Sequence, residues 1–470
     1  MSQALFFVLL FVISVIWFTF TNRNRKRKHA SLPPGNMGLP FIGETLPFLR
    51  SLVSNQPWEF FRVREAKYGK VYKTRLFGMP VVVVSPPVGT RFMFADTNHT
   101  LITKSWPVPV IKLFPESAFV RPDASGSRQL ITSFLGPECM KRYVTSTSVI
   151  VQKHLDSWPT GELVRVYPLI KRCLFSIVCN MYLGLTDEKE VMELMEPFEK
   201  VIHGIISIPV NLPGTAFHRA KLGQKEICNI LEKHIAKRRI NSQLSPARDQ
   251  DLLSMLLSTR SKEGTAMTDN EITHNILGLL VSGHELSASS ISMTIKSLVE
   301  NQTVYKEMKR VHCEIGSFKR PREPLEPLDL KQMKYSWRVV QESLRLRPTA
   351  PAVARKTLTD VELEGYTIPK GWQMFSAVYN SHTTPEFFPD PLKFDPSRFE
   401  RAGPNPYTYF PFGGGPRICG GIEQVKMHSL VILHHITTRF DWTLMEPDEP
   451  IKISPVAVPA HGLPLELRLV

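Results

Sequence analysis

One stretch near the C-terminus constrains this chain more than any other: Phe410-Pro411-Phe412-Gly413-Gly414-Gly415-Pro416-Arg417-Ile418-Cys419-Gly420-Gly421. Its glycines carry no Cβ, so the backbone can approach a flat group closely. A cysteine thiolate stays ionised when backbone N–H donors and the positive end of a helix face it. After Gly421 the apolar residues Ile422, Val425, Ile432 and Ile436 follow at helical spacing, which sets Cys419 just before a helix N-terminus. Arg417 adds a cation beside the sulfur, and Phe412 can shield it from water. The pattern describes a thiolate held ready to bind a metal. Rival readings of the glycines fail on spacing. A dinucleotide GxGxxG needs glycine where Ile418 stands, and a phosphate loop needs a lysine after its last glycine.

The other end of the chain carries a different signal. Ala4 to Phe20 is an uncharged apolar run, followed at once by Arg23, Arg25, Lys26, Arg27 and Lys28. A run of this length can just span a bilayer, and a basic flank marks its cytosolic side. A cleaved signal peptide would carry its charge before the apolar run and a small-residue cleavage site after it; neither is present. The expectation is a single-pass anchor over residues 1–22, a basic and proline-rich hinge over 23–43, and one catalytic domain over 44–470. The basic run suits anionic headgroups. The formal net charge is +15, but no aromatic-interleaved basic patch or groove-reading motif accompanies it, which excludes nucleic acid. Six cysteines show no CxxC pair and no regular spacing, so neither a zinc site nor a disulfide framework is indicated. Apart from Cys419 they read as small core residues.

Between these ends the text is mainly helical. Tyr72–Leu76 and Val81–Val84 read as a β-hairpin. Thr268 with Glu271 forms a capping box opening a long helix that runs to about Glu300. Midway along that helix Ser282-Gly283-His284-Glu285-Leu286-Ser287 interrupts the apolar pattern. Polar groups inside a buried helix are costly unless satisfied, which marks the interruption as a candidate site. His284-Glu285 could open a zinc-binding HExxH, but residue 288 is Ala288. His434-His435 reads as a helix surface or core pair.

The cysteine stretch is similar to the FxxGxRxCxG signature of the cytochromes P-450, through Phe412, Gly415, Arg417, Cys419 and Gly421. The resemblance extends over nearly the whole chain. Glu342 and Arg345 match the family's ExxR helix, one turn apart on one face. Phe394-Asp395-Pro396-Ser397-Arg398-Phe399 looks like its PxRF element, whose Arg398 would complete a buried triad with that pair. The resemblance implies a mainly α fold with small β-sheets, haem b as cofactor, and Cys419 as its axial metal ligand. It makes Arg128, Arg355 and Arg417 candidate ligands of the haem propionates. In the family a tryptophan or histidine usually stands four residues before the first of these arginines; here it is Ala124.

It further implies a monooxygenase that takes NADPH-derived electrons from NADPH–cytochrome P-450 reductase and inserts one atom of O2 into a lipophilic substrate. The expected location is the endoplasmic reticulum membrane, with the catalytic domain cytosolic. The distal helix of the family reads [AG]Gx[DE]T[TS], its threonine organising water for proton delivery. Here Ser282 to Glu285 fit, but the threonine position is Leu286, which cannot donate a hydrogen bond. Glu285 and Ser287 are therefore the catalytic candidates. The departure also keeps open an isomerase- or dehydratase-type reaction without O2 activation, and a non-catalytic haem sensor. The opening Leu32-Pro33-Pro34-Gly35 segment, Gly283-His284-Glu285 and the glycine loop most resemble the plant branch acting on steroids, triterpenoids and diterpenoids. Val108 to Phe119 and Ile202 to Leu212 are apolar stretches suited to a greasy pocket.

Overall fold

The computed structural model describes residues 31–470 except 53, 55–57, 97–99, 122–124, 245–250, 261–263 and 455. The expected anchor at Ala4–Phe20, the basic run and Ala124 lie outside the described residues. The described chain divides into two compact units, each built around its own contacts.

The smaller unit comprises residues 31–51, 58–105 and 352–377. Its centre is a five-stranded sheet made from β1 (Val71–Leu76), β2 (Met79–Val84), β3 (Ile102–Lys104), β4 (Ala352–Thr357) and β5 (Gln373–Ala377), in the order β1-β2-β5-β4-β3. β1 and β2 are the predicted hairpin, with Val71 opposite Val84 and a two-residue turn at Phe77-Gly78. The second strand starts at Met79, two residues earlier than the β-branched run suggests, because Pro80 sits opposite Arg75 without ending the pairing. β2 and β5 run parallel; the other neighbours are antiparallel. The proline-rich segment is tied down here: Lys73 N–H donates to Pro34 O at 2.7 Å and Lys73 Nζ to Pro33 O at 2.7 Å.

The larger unit holds residues 52–57, 106–351 and 378–470 where described, and is dominated by helices. Those that matter for the site are α1 (Ser125–Phe134), α2 (Pro137–Asp156), α3 (Val166–Leu183), α4 (Glu188–Gly204), α5 (Ala216–Leu244), α6 (Asp269–Glu300), α7 (Gln302–Ser317), α8 (Lys334–Leu346) and α9 (Ile422–Arg439). α6 has 32 residues, so it is roughly 48 Å long at 1.5 Å per residue. Its capping box is formed as the spacing predicts, with Glu271 N–H on Thr268 Oγ1 at 3.2 Å and Thr268 N–H on Glu271 Oε2 at 2.9 Å. It runs through the core, so Ile272, Ile276, Leu280, Ile291 and Ile295 are buried together with many polar residues, among them Asn275, Ser289 and Thr294.

Among the described residues α3 alone is long and apolar enough to cross a membrane, but it packs against α6 and most of it is buried within this unit. Cys139, Cys173 and Cys179 are core residues as expected; Cys313, on α7, is exposed instead. His434 and His435 are a core pair, both turned inward from α9.

Candidate active site

Cys419 lies where the sequence puts it, three residues before α9. The loop that carries it is shaped by its own backbone. Gly413 (φ 69°) and Gly415 (φ 67°) occupy the left-handed region, where a side chain would be strained. Gly413 N–H donates to Phe410 O at 2.9 Å, Ile418 N–H to Gly415 O at 3.0 Å, and Cys419 N–H to Phe412 O at 2.9 Å. These bonds turn the chain back on itself and present the sulfur. Gly421 N–H, at the start of α9, points at Cys419 Sγ from 3.3 Å. A Cβ on Gly421 would stand 3.7 Å from that sulfur. Burial raises the Cys419 thiol above its ordinary value, while the Gly421 N–H and the charge of Arg128 pull it down.

Two arginines flank the loop. Arg128, on α1, reaches Pro416 O at 3.2 Å and Ile418 O at 3.5 Å, and it feels the charge of Arg417. Arg417 Nε is buried and, among the described residues, makes no hydrogen bond. A glycine-lined thiol with a helix N-terminus behind it, two cations beside it and an unused guanidinium N–H fits a haem whose iron takes the sulfur and whose carboxylates take the arginines. Arg355 belongs to the smaller unit, on β4, where its Nη1 donates to Ala354 O at 2.9 Å and its guanidinium stands 5.9 Å from the Phe94 ring.

Behind the loop sits the ion-pair centre. Arg345 and Glu342, one turn apart on α8, form a two-pronged pair at 2.7 and 2.8 Å and are fully buried. Arg398 Nε approaches Glu342 Oε1 at 3.5 Å, so the expected triad is assembled. Arg345 also donates to His382 O at 2.8 Å, Pro391 O at 2.7 Å and Lys393 O at 3.1 Å, and Asp395 N–H donates to Glu342 Oε1 at 2.8 Å. The irregular segment 382–398 is thus folded around one guanidinium. Burying two charges is costly, and this many partners is what makes it tolerable. Burial raises the Glu342 carboxyl even so, against the pull of Arg345, Asp395 N–H and Arg398.

The polar interruption of α6 faces several ways. Gly283 packs against the Tyr182–Gln424 hydrogen bond (2.8 Å): a Cβ there would come within 2.5 Å of Tyr182 Oη and 2.9 Å of Gln424 Nε2. Gln424 belongs to α9, so α6 passes close to the helix that follows Cys419. His284 is fully buried between Phe175 and Phe198, and its Nε2 lies 2.8 Å from Lys171 O. Glu285 is buried too, 2.9 Å from Lys171 Nζ and 3.2 Å from His284 Nδ1. Burial would raise its carboxyl, but His284 and Lys171 together hold it at about 2. Lys171 also meets Glu199 on α4 at 2.9 Å, and Glu199 reaches solvent. Ser282 is exposed and Leu286 half-buried on one face, whereas Ser287 is fully buried on another. Among the described residues Ser287 Oγ has no hydrogen-bond partner. Lys171 and His382 were not foreseen. Each meets its partner from far along the chain, and no spacing encodes such a meeting.

A family model for cytochrome P450 matches residues 33–465. The chain belongs to that family. A β-amyrin 28-monooxygenase of Kalopanax septemlobus is 38% identical over 98% of this chain and 97% of its own length, and one of Vitis vinifera is 38% identical over 98% of both. A taxane 13-alpha-hydroxylase of Taxus cuspidata is 36% identical over 99% of this chain and 97% of its own length. Among solved structures, a retinoic-acid-bound cytochrome P-450 of a cyanobacterium covers 94% of this chain and is itself covered completely, with a TM-score of 0.85 and 30% identity. The chain is a haem b monooxygenase of mainly helical fold with small sheets.

Proposed function

We propose that this enzyme oxygenates a lipophilic plant isoprenoid of the triterpenoid or diterpenoid class at the endoplasmic reticulum membrane, with electrons delivered from NADPH by cytochrome P-450 reductase. The observation that carries the reading is the Cys419 loop, shaped to hold a thiolate, within a chain whose full-length relatives are named for β-amyrin and taxane oxidation. Exposed Ile206, Ile208, Val210 and Leu212, between α4 and α5, suit a body that draws its substrate from a lipid phase. The apolar run at Ala4–Phe20 supplies the single-pass anchor and leaves the catalytic domain of residues 44–470 in the cytosol.

The haem, when bound, supplies O2 activation. Within that reading Cys419 ligates the iron through an ionised sulfur. Phe412, Gly415 and Gly421 shape the turn, while Arg128, Arg355 and Arg417 take the propionates. Glu285, ionised and joined through Lys171 to half-buried Glu199, would hold and pass protons. Ser287 adds a hydroxyl two residues further along the same helix.

The test is co-expression with a plant reductase, feeding β-amyrin and a taxane skeleton, and mass spectrometry of the products, with a Cys419→Ala control. Oxygenated product from the intact enzyme alone is expected. A protein that shows the red-shifted absorption of a reduced, carbon-monoxide-bound thiolate complex yet oxidises neither skeleton would sink the substrate class. One lacking that absorption would sink the assignment of Cys419.

A further inference from the structure

The loop of ten residues from Phe410 to Cys419 has left-handed glycines, two prolines and backbone bonds of its own, but its position relative to the ion-pair centre needs an outside anchor. His382 provides one. Phe410 N–H donates to His382 Nε2 at 3.0 Å, in a fully buried setting. The imidazole stacks on Tyr409 at 5.1 Å and meets the Phe410 ring edge-on at 5.3 Å. Its own carbonyl accepts Arg345 Nη1 at 2.8 Å. Tyr409 Oη adds a bond to Gln341 O at 2.9 Å. One residue therefore grips the buried guanidinium with its backbone and the first residue of the cysteine loop with its ring.

The tautomer is fixed by this arrangement. Nε2 accepts a hydrogen bond, so the ring proton resides on Nδ1, and the imidazole is neutral. Burial and the neighbouring Arg345 charge favour that neutral form. From Phe410 the connection runs through the Gly413–Phe410 bond to Phe412, whose carbonyl receives the Cys419 N–H.

We propose that His382 is a positioning residue for the thiolate: its Nε2 lone pair sets the register of the Cys419 loop against the Glu342–Arg345–Arg398 centre. The inference rests on the assignment of Cys419 as the iron ligand. Without the acceptor, the buried Phe410 N–H loses its bond to Nε2, and the loop gains by slipping to replace it. The sulfur then moves relative to the iron, although the helices remain folded.

The experiment uses the full-length, haem-loaded protein and three variants: His382→Gln, His382→Asn and His382→Phe. A glutamine amide oxygen reaches about as far as Nε2, whereas asparagine falls short and phenylalanine fills the space without an acceptor. The readouts are the rate at which the thiolate-type absorption of the carbon-monoxide complex decays on mild warming, amide exchange at Phe410, and far-ultraviolet circular dichroism. Decay is expected roughly tenfold or more faster in the Asn and Phe variants, the scale of one lost buried hydrogen bond. Exchange at Phe410 should rise with it and helicity should persist, while Gln stays within about twofold of the parent. Should His382→Phe fail to fold, the Gln and Asn pair decides alone, since the two differ in reach. Decay at the parental rate in Asn, or equally fast in Gln and Asn, overturns the proposal. A parent protein without the thiolate absorption sinks the Cys419 assignment and this inference with it. A parent that has it, beside indifferent variants, sinks His382 alone.

Discussion

The ion-pair centre behind the cysteine loop and the middle of α6 bury polar groups in opposite ways. At the centre nearly every charge is met: Arg345 makes bonds to a carboxylate and three carbonyls, and Glu342 takes two arginines and a backbone N–H. In α6 the hydroxyls of Ser287, Ser290 and Ser292 are buried with no hydrogen-bond partner among the described residues, beside a carboxylate approached by Lys171, His284 and the Tyr167 hydroxyl. Satisfied networks are rigid, and under-satisfied ones are free to exchange partners. On the proposed reading, the first holds a sulfur still and the second lets protons and water change places.

The difference is broken most directly by Glu342→Ala. That change strands Arg345 and Arg398 with uncompensated charge in the core, and breaking such a pair costs about 3–5 kcal/mol. We expect chemical denaturation to show a loss of that size, with little folded, haem-competent protein recovered. A loss below about 1 kcal/mol would mean the centre is far more solvated than its geometry implies.

Acid should attack the two regions at different pH. Burial holds His382, His428 and His435 at about 3 and His434 at about 4, all below the ordinary 6.5. Below pH 6.5 the unfolded chain binds protons that the folded one refuses. Stability is therefore full above that pH and falls as pH drops, by about 2 kcal/mol per histidine at pH 5. Glu285 behaves differently: held at about 2, its contribution persists down to the ordinary carboxylate range near 4.5 and is lost only between there and about 2. Hydrogen exchange at pH 5 should thus show residues 410–439 opening while the turn around Glu285 stays protected. Equal loss in both would contradict the assignment of protonation states.

What the sequence revealed follows the same division. The loop, the Glu342–Arg345 pair and the Thr268 capping box rest on residues a few positions apart, where backbone geometry forces a meeting. Cys419 before a helix could be read from glycine placement and apolar spacing alone. Lys171 meets Glu285 across 114 positions and His382 meets Phe410 across 28, through packing that no local period announces. The orphaned state of Ser287 was equally hidden: a serine beside a leucine reads as a substitute hydroxyl until the helix face is known.

The polar interruption is sharpened by Glu285→Gln. The amide keeps the shape but neither ionises nor passes a proton, and Lys171 retains Glu199 as a partner. Product formation should fall about 10- to 100-fold, the scale of a lost proton-transfer group, and stability should fall by about 2–3 kcal/mol, because the amide gives up a buried ion pair. A variant equally active across pH 6–8 would remove Glu285 from the reaction.

The smallest effect on folding, and the most informative about α6, belongs to Ser287→Ala. Its hydroxyl has no partner among the described residues to lose, so removing it relieves a desolvated group, and stability should hold or rise by a few tenths of a kcal/mol. If the same hydroxyl serves proton delivery when water enters, the variant should consume NADPH faster than it forms product. Stability and coupling then move in opposite directions, a pattern that a purely structural serine would not produce. Unchanged coupling would leave Glu285 as the sole proton-handling group in the middle of the helix and make Ser287 a packing residue.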